Sequence, residues 1–126
     1  MVFWLLAGLG VYLLNIFLPA ILYLPAEGLV THAGSRDQQP PVGPFVGRAR
    51  RSLANLQENL PIFLGLGILA LVVPGADIEQ AILGAQIFVF ARIAYIPLYL
   101  ASIPYTRSMS YLAGLYGTLL MLLALV

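Results

Sequence analysis

The sequence predicts an all-α membrane protein, a bundle of four transmembrane helices. Of its 126 residues, 61% are hydrophobic and only 9% are charged, and the mean hydropathy is +0.95. A soluble domain carries charge on roughly a quarter of its residues, so this chain lacks the surface that water requires. Four apolar stretches are each long enough to cross a bilayer, for which about 20 helical residues suffice. We therefore expect one domain, residues 1–126, that spans the membrane several times.

The four predicted helices are taken in chain order as about 2–24, 48–73, 78–102 and 108–126. The first has no small-residue cleavage signature, so we expect it to be retained rather than removed as a signal peptide. A polar segment at about 25–47 follows, and its Pro-rich part, 38–44, disfavours helix. In the next two connections we expect Asp77 to cap the third helix, and Thr106 or Ser108 to cap the fourth.

Composition excludes several classes of function. The net charge is +1, which provides no basic surface for nucleic acid. The absence of Cys excludes disulfides, thiolate metal ligands and a Cys nucleophile. His32 is the only imidazole, and it lies among loop-forming residues where we expect it to be solvated. We predict no metal site.

Arginine placement predicts the topology. All six cations are Arg, and five of them precede the second or the fourth helix or lie in their first turns: Arg36, Arg48, Arg50, Arg51 and Arg107. The only charged residues in and beside the connection between the second and third helices are acidic, Asp77 and Glu79. Because loops rich in Arg stay in the cytoplasm, we expect both termini on the opposite side.

Two polar stripes interrupt the apolar helices. The second helix carries Arg48, Arg51, Asn55 and Glu58, whose spacings of three and four residues place them on one face. The third helix carries Arg92, Tyr95 and Tyr99 in the same way. Charge at bilayer depth is costly and is usually functional. The stripes therefore predict a polar pocket between helices.

Two interpretations of this pocket differ in what Glu58 does. In one, Glu58 forms a structural ion pair with Arg51 or Arg92, which leaves Asn55 and the two Tyr without a role. In the other, the Arg forks bind carboxylates, Glu58 binds an ammonium group and Asn55 bonds peptide amides. Glutathione combines these groups with a thiol, whose pKa a nearby Arg would lower below about 8.5. A phosphate head group would be repelled by Glu58, so we favour the peptide-like ligand.

Three separated motifs resemble one known family. They are Arg51-x-x-x-Asn55-x-x-Glu58-x-x-Pro61-x-Phe63, then Phe90-Ala-Arg92-x-x-Tyr95-x-x-x-Tyr99, then Arg107-Ser108. In this order they resemble the membrane-associated proteins in eicosanoid and glutathione metabolism (MAPEG), and the bacterial members most of all. The resemblance implies homotrimers with a glutathione site between neighbouring subunits, and a bacterial inner-membrane location.

The resemblance also implies roles for individual residues. Arg107 would approach the sulfur of glutathione, the thiol co-substrate, with Ser108 or Tyr99 as hydrogen-bond donor. The expected glutathione-binding residues are Arg48, Arg51, Asn55, Glu58, Arg92, Tyr95 and Tyr99. The chain departs from one catalytic member at Asn59, where that member has Tyr, and at 24–27, which lacks that member's Arg.

The expected function is that of a glutathione-dependent transferase or peroxidase acting on lipophilic electrophiles through an Arg-stabilised thiolate. The principal alternative is a non-catalytic lipid-binding or scaffolding subunit of the same fold. A small multidrug transporter is a weaker alternative, because such proteins carry an essential Glu in the first helix and the predicted first helix, 2–24, contains no acid.

Overall fold

The computed structural model describes residues 1–27 and 43–126, which form four α-helices and no strand. In chain order, α1 to α4 are Val2–Glu27, Pro44–Val72, Ile78–Leu100 and Pro104–Leu123. The predicted all-helical class with four helices is confirmed for this part of the chain. Three helices are long and apolar enough to cross a bilayer, namely α1 over Val2–Pro25, α2 and α3. The helix α4 is not among these three, so its crossing stays a prediction.

The helix ends differ from the predicted ones around the proline residues. The helices α2 and α4 begin at Pro44 and Pro104, each about a turn earlier than expected. Proline suits the first helical turn, because no backbone N–H partner is needed there and its φ is already helical. The helix α1 continues to Glu27, so the expectation that the first helix lacks an acid is wrong at its last residue. The predicted loop residues His32 and Arg36 lie outside the described residues.

The predicted caps are half right. The Asp77 carboxylate accepts a hydrogen bond from the Gln80 backbone N–H at 3.0 Å, which confirms it as the cap of α3. The N-cap of α4 is Ile103, which makes no side-chain capping bond. The Thr106 hydroxyl instead donates to the Ile103 carbonyl at 3.4 Å. The earlier helix start at Pro104 thus leaves Thr106 and Ser108 inside the helix rather than at its cap.

The core lies between α1, α2 and α3, and α4 adds the fully buried Met121 to it. Phe63 of α2 and Phe88 of α3 are fully buried and stack with ring centroids 4.3 Å apart. A polar contact also links α1 to α2, where the buried Ser52 hydroxyl donates to Asn15 Oδ1 at 3.3 Å. The polar stripe of α2 lies beside this buried face, because Arg51 and Glu58 are exposed whereas Ser52 is buried. Burial of one face of α2 therefore leaves the stripe at the edge of the bundle.

A close approach of two glycines positions α4 against α3. A Cβ atom added to Gly84 would lie 2.5 Å from the Gly117 carbonyl oxygen, and the reverse distance is also 2.5 Å. Small residues allow membrane helices to pack backbone to backbone in this way. Near the same end, the Asp77 N–H donates to the Ala124 carbonyl at 2.8 Å, and Gln80 Nε2 donates to the Leu120 carbonyl at 3.2 Å. These contacts hold α4 alongside α3 and so set where its other end meets Tyr99.

Candidate functional site

A polar cavity of about 390 Å³ lies where α2, α3 and α4 meet. It is lined by Asn55, Tyr95, Tyr99, Arg107, Ser108, Tyr111 and Leu112. The first five of these are predicted site residues, and they come from three helices. The predicted residues that do not line the cavity are Arg48, Arg51, Glu58 and Arg92.

Tyr99 is part of the cavity wall and contacts two cations. Its hydroxyl accepts a hydrogen bond from Arg51 Nε at 3.3 Å. Its ring faces the guanidinium of Arg107, whose Cζ lies 5.4 Å from the ring centroid. Tyr95, one helical turn earlier, has its ring centroid 5.2 Å from that of Tyr99. The Arg51 side chain is thus one hydrogen bond away from the cavity.

Arg92 lies directly behind the cavity and is only 2% exposed. Its Nη1 donates to Asn55 Oδ1 at 2.6 Å, whereas Nε and Nη2 have no hydrogen-bond partner. The guanidinium carbon lies 5.1–5.7 Å from the ring centroids of Phe88, Tyr95 and Tyr111. Aromatic faces attract a cation electrostatically. The rings therefore compensate part of a charge that no carboxylate neutralises among the described residues.

The guanidinium group of Arg48 lies away from the cavity. Its Nη1 donates to the Leu100 carbonyl at 2.7 Å, at the C-terminal end of α3. Its guanidinium also lies over the Phe45 ring, 5.4 Å from the centroid. A cation is favourable at a helix C-terminus, where the last carbonyls lack intrahelical partners. Arg48 therefore joins the start of α2 to the end of α3.

Glu58 is exposed on α2, and within the described residues it forms neither a hydrogen bond nor an ion pair. The Arg51 and Arg92 side chains instead contact Tyr99 and Asn55. The structural ion pair considered from the sequence is therefore not formed within this subunit. Glu58 stays available for another partner on the surface of α2.

The cavity has the electrostatics of an anion site. Arg107 is part of its wall, Arg51 reaches it through Tyr99, and Arg92 lies behind Asn55. Among the described residues, no carboxylate lines it. Charge-assisted hydrogen bonds from Arg to carboxylates are about twice as strong as neutral ones. The lining residues Tyr95, Tyr99, Ser108 and Tyr111 carry hydroxyl groups that can donate neutral hydrogen bonds to a ligand.

The sequence prediction missed Tyr111 and Leu112. Tyr111 follows Arg107 by four residues and Ser108 by three, so it shares their face of α4. That spacing is the signal that could have identified it. Leu112 also lines a second, apolar groove of about 560 Å³ between α2 and α4. The other lining residues of this groove are Ile62, Leu66, Leu115, Tyr116, Thr118, Leu119 and Leu122.

Comparison of the sequence with known proteins shows the family. The sequence model of the MAPEG family matches residues 1–126. The chain belongs to the MAPEG family. Over 76 residues, 60% of its length, this MAPEG protein is 40% identical to microsomal glutathione S-transferase 1 of Bos taurus. The match spans about half, 48%, of the length of that relative.

Family membership confirms the resemblance inferred from the three motifs. Residues of all three motifs contribute to the polar cavity of this MAPEG protein, Asn55 from the first, Tyr99 from the second and Arg107 from the third. The named relative uses glutathione, and a glutathione-related activity is therefore the one suggested at the level of the family.

Proposed function

We propose that this protein binds glutathione in the polar cavity and conjugates it through its sulfur to lipophilic electrophiles, or uses it to reduce lipophilic peroxides. The observation that carries this is the convergence of Asn55, Arg107 and Ser108, from two helices, on one cavity whose described lining includes no carboxylate. The similarity to a glutathione transferase supports the choice of ligand.

Several groups of glutathione have a complementary side chain at or near the cavity. Arg51 suits a carboxylate, because the guanidinium fork matches a carboxylate in two parallel hydrogen bonds. Asn55 suits a peptide group, since its amide both donates and accepts. Glu58 suits the ammonium group. Its lack of a partner within the subunit is consistent with this role.

The chemistry requires a thiolate, and Arg107 is the cation on the wall best placed to favour one. A positive charge lowers the pKa of a neighbouring thiol below about 8.5 and increases the reactive fraction. The thiol proton passes to solvent, the thiolate attacks the electrophilic carbon, and a carbon–sulfur bond forms as the leaving group departs. Ser108 or Tyr99 donates a hydrogen bond to the sulfur or to the electrophile.

The apolar groove provides a route for the second substrate. It shares Leu112 with the polar cavity, so a lipophilic molecule in the groove can present its reactive end to the thiolate. Its position on the outer surface of α2 and α4 suits delivery from the hydrocarbon of the bilayer. We place the protein in the bacterial inner membrane.

The site is completed in a homotrimer. Arg51 and Glu58 are exposed on a single subunit, and exposing charge to lipid costs a few kcal/mol. A neighbouring subunit that covers this face would remove the cost and bring further groups to the cavity.

Glutathione binding to the detergent-purified protein tests the proposal. Calorimetry should detect binding, and the protein should then conjugate glutathione to a generic aryl halide faster than the uncatalysed reaction in buffer. The control variant Arg50→Ala should bind glutathione like the wild type. Arg50 is exposed on α2, and its Cζ lies over the Tyr23 ring, 5.5 Å from the centroid and away from the cavity. The absence of glutathione binding by the wild type would refute the proposal.

The apolar groove favours one second candidate, a lipid-binding subunit without turnover. Its volume of about 560 Å³ and its lining of Leu, Ile and Tyr suit an acyl chain. A protein that binds lipid in this groove but neither binds nor conjugates glutathione would support this candidate over the first.

A further inference from the structure

The hydrogen bond between Arg92 and Asn55 determines which way the Asn55 amide points. A guanidinium group has five N–H donors and no acceptor, so it can bond only to the Oδ1 atom of an Asn side chain. The distance from Arg92 Nη1 to Asn55 Oδ1 is 2.6 Å, which is short for this bond type. The amide nitrogen therefore lies on the other side of Cγ. Asn55 Nδ2 makes no hydrogen bond within the described residues.

The bond to Asn55 is the only hydrogen bond of the Arg92 guanidinium within the described residues. Three aromatic rings surround its guanidinium, and the side chain is 2% exposed. On the α4 side the guanidinium lies against Gly114, where an added Cβ atom would be 3.4 Å from Arg92 Nε. Arg92 itself is not among the cavity-lining residues, whereas Asn55 is. An effect of Arg92 on the ligand must therefore pass through Asn55.

We propose that Arg92 is a positioning residue that presents the Asn55 amide N–H groups to the cavity, so that the site recognises an acceptor oxygen of its ligand there. This role rests on the proposed glutathione site and names the atom class that Asn55 reads, a peptide carbonyl or a carboxylate oxygen. A ligand with a donor at that place is rejected, because it would leave two facing N–H groups without acceptors.

A double-mutant cycle tests whether Arg92 acts through Asn55. Arg92→Met and Asn55→Ala should each weaken glutathione binding roughly 10- to 100-fold, as expected for a hydrogen bond that involves a charged group. The double variant should bind no more weakly than the weaker single variant, because the second change removes an interaction that is already lost. Additive losses would overturn the proposal. If Arg92→Met does not fold, Arg92→Lys replaces it, and its single ammonium donor should give an intermediate affinity.

Two further readouts separate positioning from structural support and from a direct role at sulfur. Asn55→Asp keeps an acceptor for Arg92 but removes the donor, so it should keep its thermal unfolding midpoint and lose glutathione affinity. Unchanged affinity in Asn55→Asp would overturn the proposal. In Arg92→Met the pH titration of the bound thiolate absorbance should match the wild type. A titration displaced toward the free thiol would place Arg92 at the sulfur and also overturn it.

The same cycle without ligand distinguishes failure of this role from failure of the proposed function. Thermal unfolding of the ligand-free variants should show that the effects of Arg92→Met and Asn55→Ala are coupled. If these effects are coupled and the wild type does not bind glutathione, the Asn55 orientation is supported and glutathione is refuted as the ligand. Additive effects on ligand-free unfolding refute the Arg92–Asn55 bond itself.

Discussion

Arg107 and Arg92 carry the same charge in opposite environments. Arg107 is exposed on the cavity wall over Tyr99, whereas Arg92 is buried behind Asn55 among aromatic rings. A cation that touches the cavity can act on a ligand directly, and a buried one acts through the groups it holds. The two side chains should therefore differ in which measured property their removal changes.

Arg107→Ala should reduce turnover and leave glutathione affinity nearly intact, since the sulfur is a small part of the ligand. Loss of the positive charge raises the pKa of the bound thiol toward its free value of about 8.5, so the thiolate absorbance should appear at higher pH. Arg107→Lys should recover part of the effect, because a point charge still favours the thiolate. Unchanged rate and titration in Arg107→Ala would refute the role of Arg107 at the sulfur.

Arg51→Ala or Glu58→Gln should weaken glutathione binding by about tenfold or more, the cost of a hydrogen bond to a charged group. Neither change should unfold the bundle, because both side chains are exposed on the subunit. Calorimetry and thermal unfolding should be compared with those of Arg50→Ala, the control on the same helix. Wild-type affinity in both variants would mean that the α2 stripe is not part of the site.

Helical spacing predicted the faces of the site residues but not how far their side chains reach. Asn55 and Tyr99 were placed by spacing, and both line the cavity. Arg48 shares the stripe, yet it ends at the Leu100 carbonyl, because the end of α3 offers an unpaired acceptor nearby. The partner of Arg92 could not be read from spacing either, since Asn55 and Glu58 lie on the same face of α2.

At the level of whole helices, the Gly84–Gly117 contact determines the geometry of the site. The glycines allow α4 to lie against α3, and α4 carries Arg107 and Ser108. The sequence contains 12 Gly but does not show which of them pack closely, since Gly10 and Gly65 have nothing within 4 Å of an added Cβ atom.

Gly84→Ala or Gly117→Ala should destabilise the protein by about 1–3 kcal/mol, the usual cost of overpacking. The added methyl group meets backbone atoms, which cannot move aside without separating α3 from α4. Gly65→Ala is the control and should be neutral or stabilising, because alanine favours helix by about 1 kcal/mol over glycine. Thermal unfolding in detergent gives the comparison. Equal midpoints for all three variants would contradict the close approach.

The end of α3 depends on one residue in a left-handed conformation. Ser102 has φ +58°, its N–H bonds to the Tyr99 carbonyl at 3.1 Å, and the Ile103 N–H bonds to the Leu98 carbonyl at 3.3 Å. This is the Schellman pattern, in which glycine is the usual residue. Serine gives no such signal in the sequence, and for this reason the predicted end of the helix, 102, lies beyond the observed end at Leu100.

Ser102→Gly should stabilise the protein by about 1 kcal/mol, because glycine adopts the left-handed conformation without the cost that a Cβ atom adds. Ser102→Val should destabilise it, since a branched side chain increases that cost. Both variants leave the cavity-lining residues unchanged, so their glutathione affinity serves as an internal control. A lower unfolding midpoint for Ser102→Gly than for the wild type would contradict this account of the helix end.

The whole molecule combines a buried core with a surface that a lone subunit cannot present to lipid. The sequence predicted the four helices from hydropathy, since the length and apolarity of a segment are local properties. The assembly of subunits depends on surfaces that meet only between chains, and a single sequence shows these as exposed polar residues at best. Arg51 and Glu58 are such residues.

We predict a homotrimer in which the α2 helices line the threefold axis, because three copies can bury the polar stripe that one small bundle leaves exposed. Native mass spectrometry in mild detergent should give the mass of three chains. Since the chain has no Cys, Ile62→Cys provides a single probe on the exposed face of α2, continuing the stripe one turn beyond Glu58. A trivalent maleimide should join three copies of this variant, and Leu13→Cys, comparably exposed on α1, should give fewer. Only monomers and dimers in both measurements would exclude the trimer and leave Arg51 and Glu58 to be covered in another way.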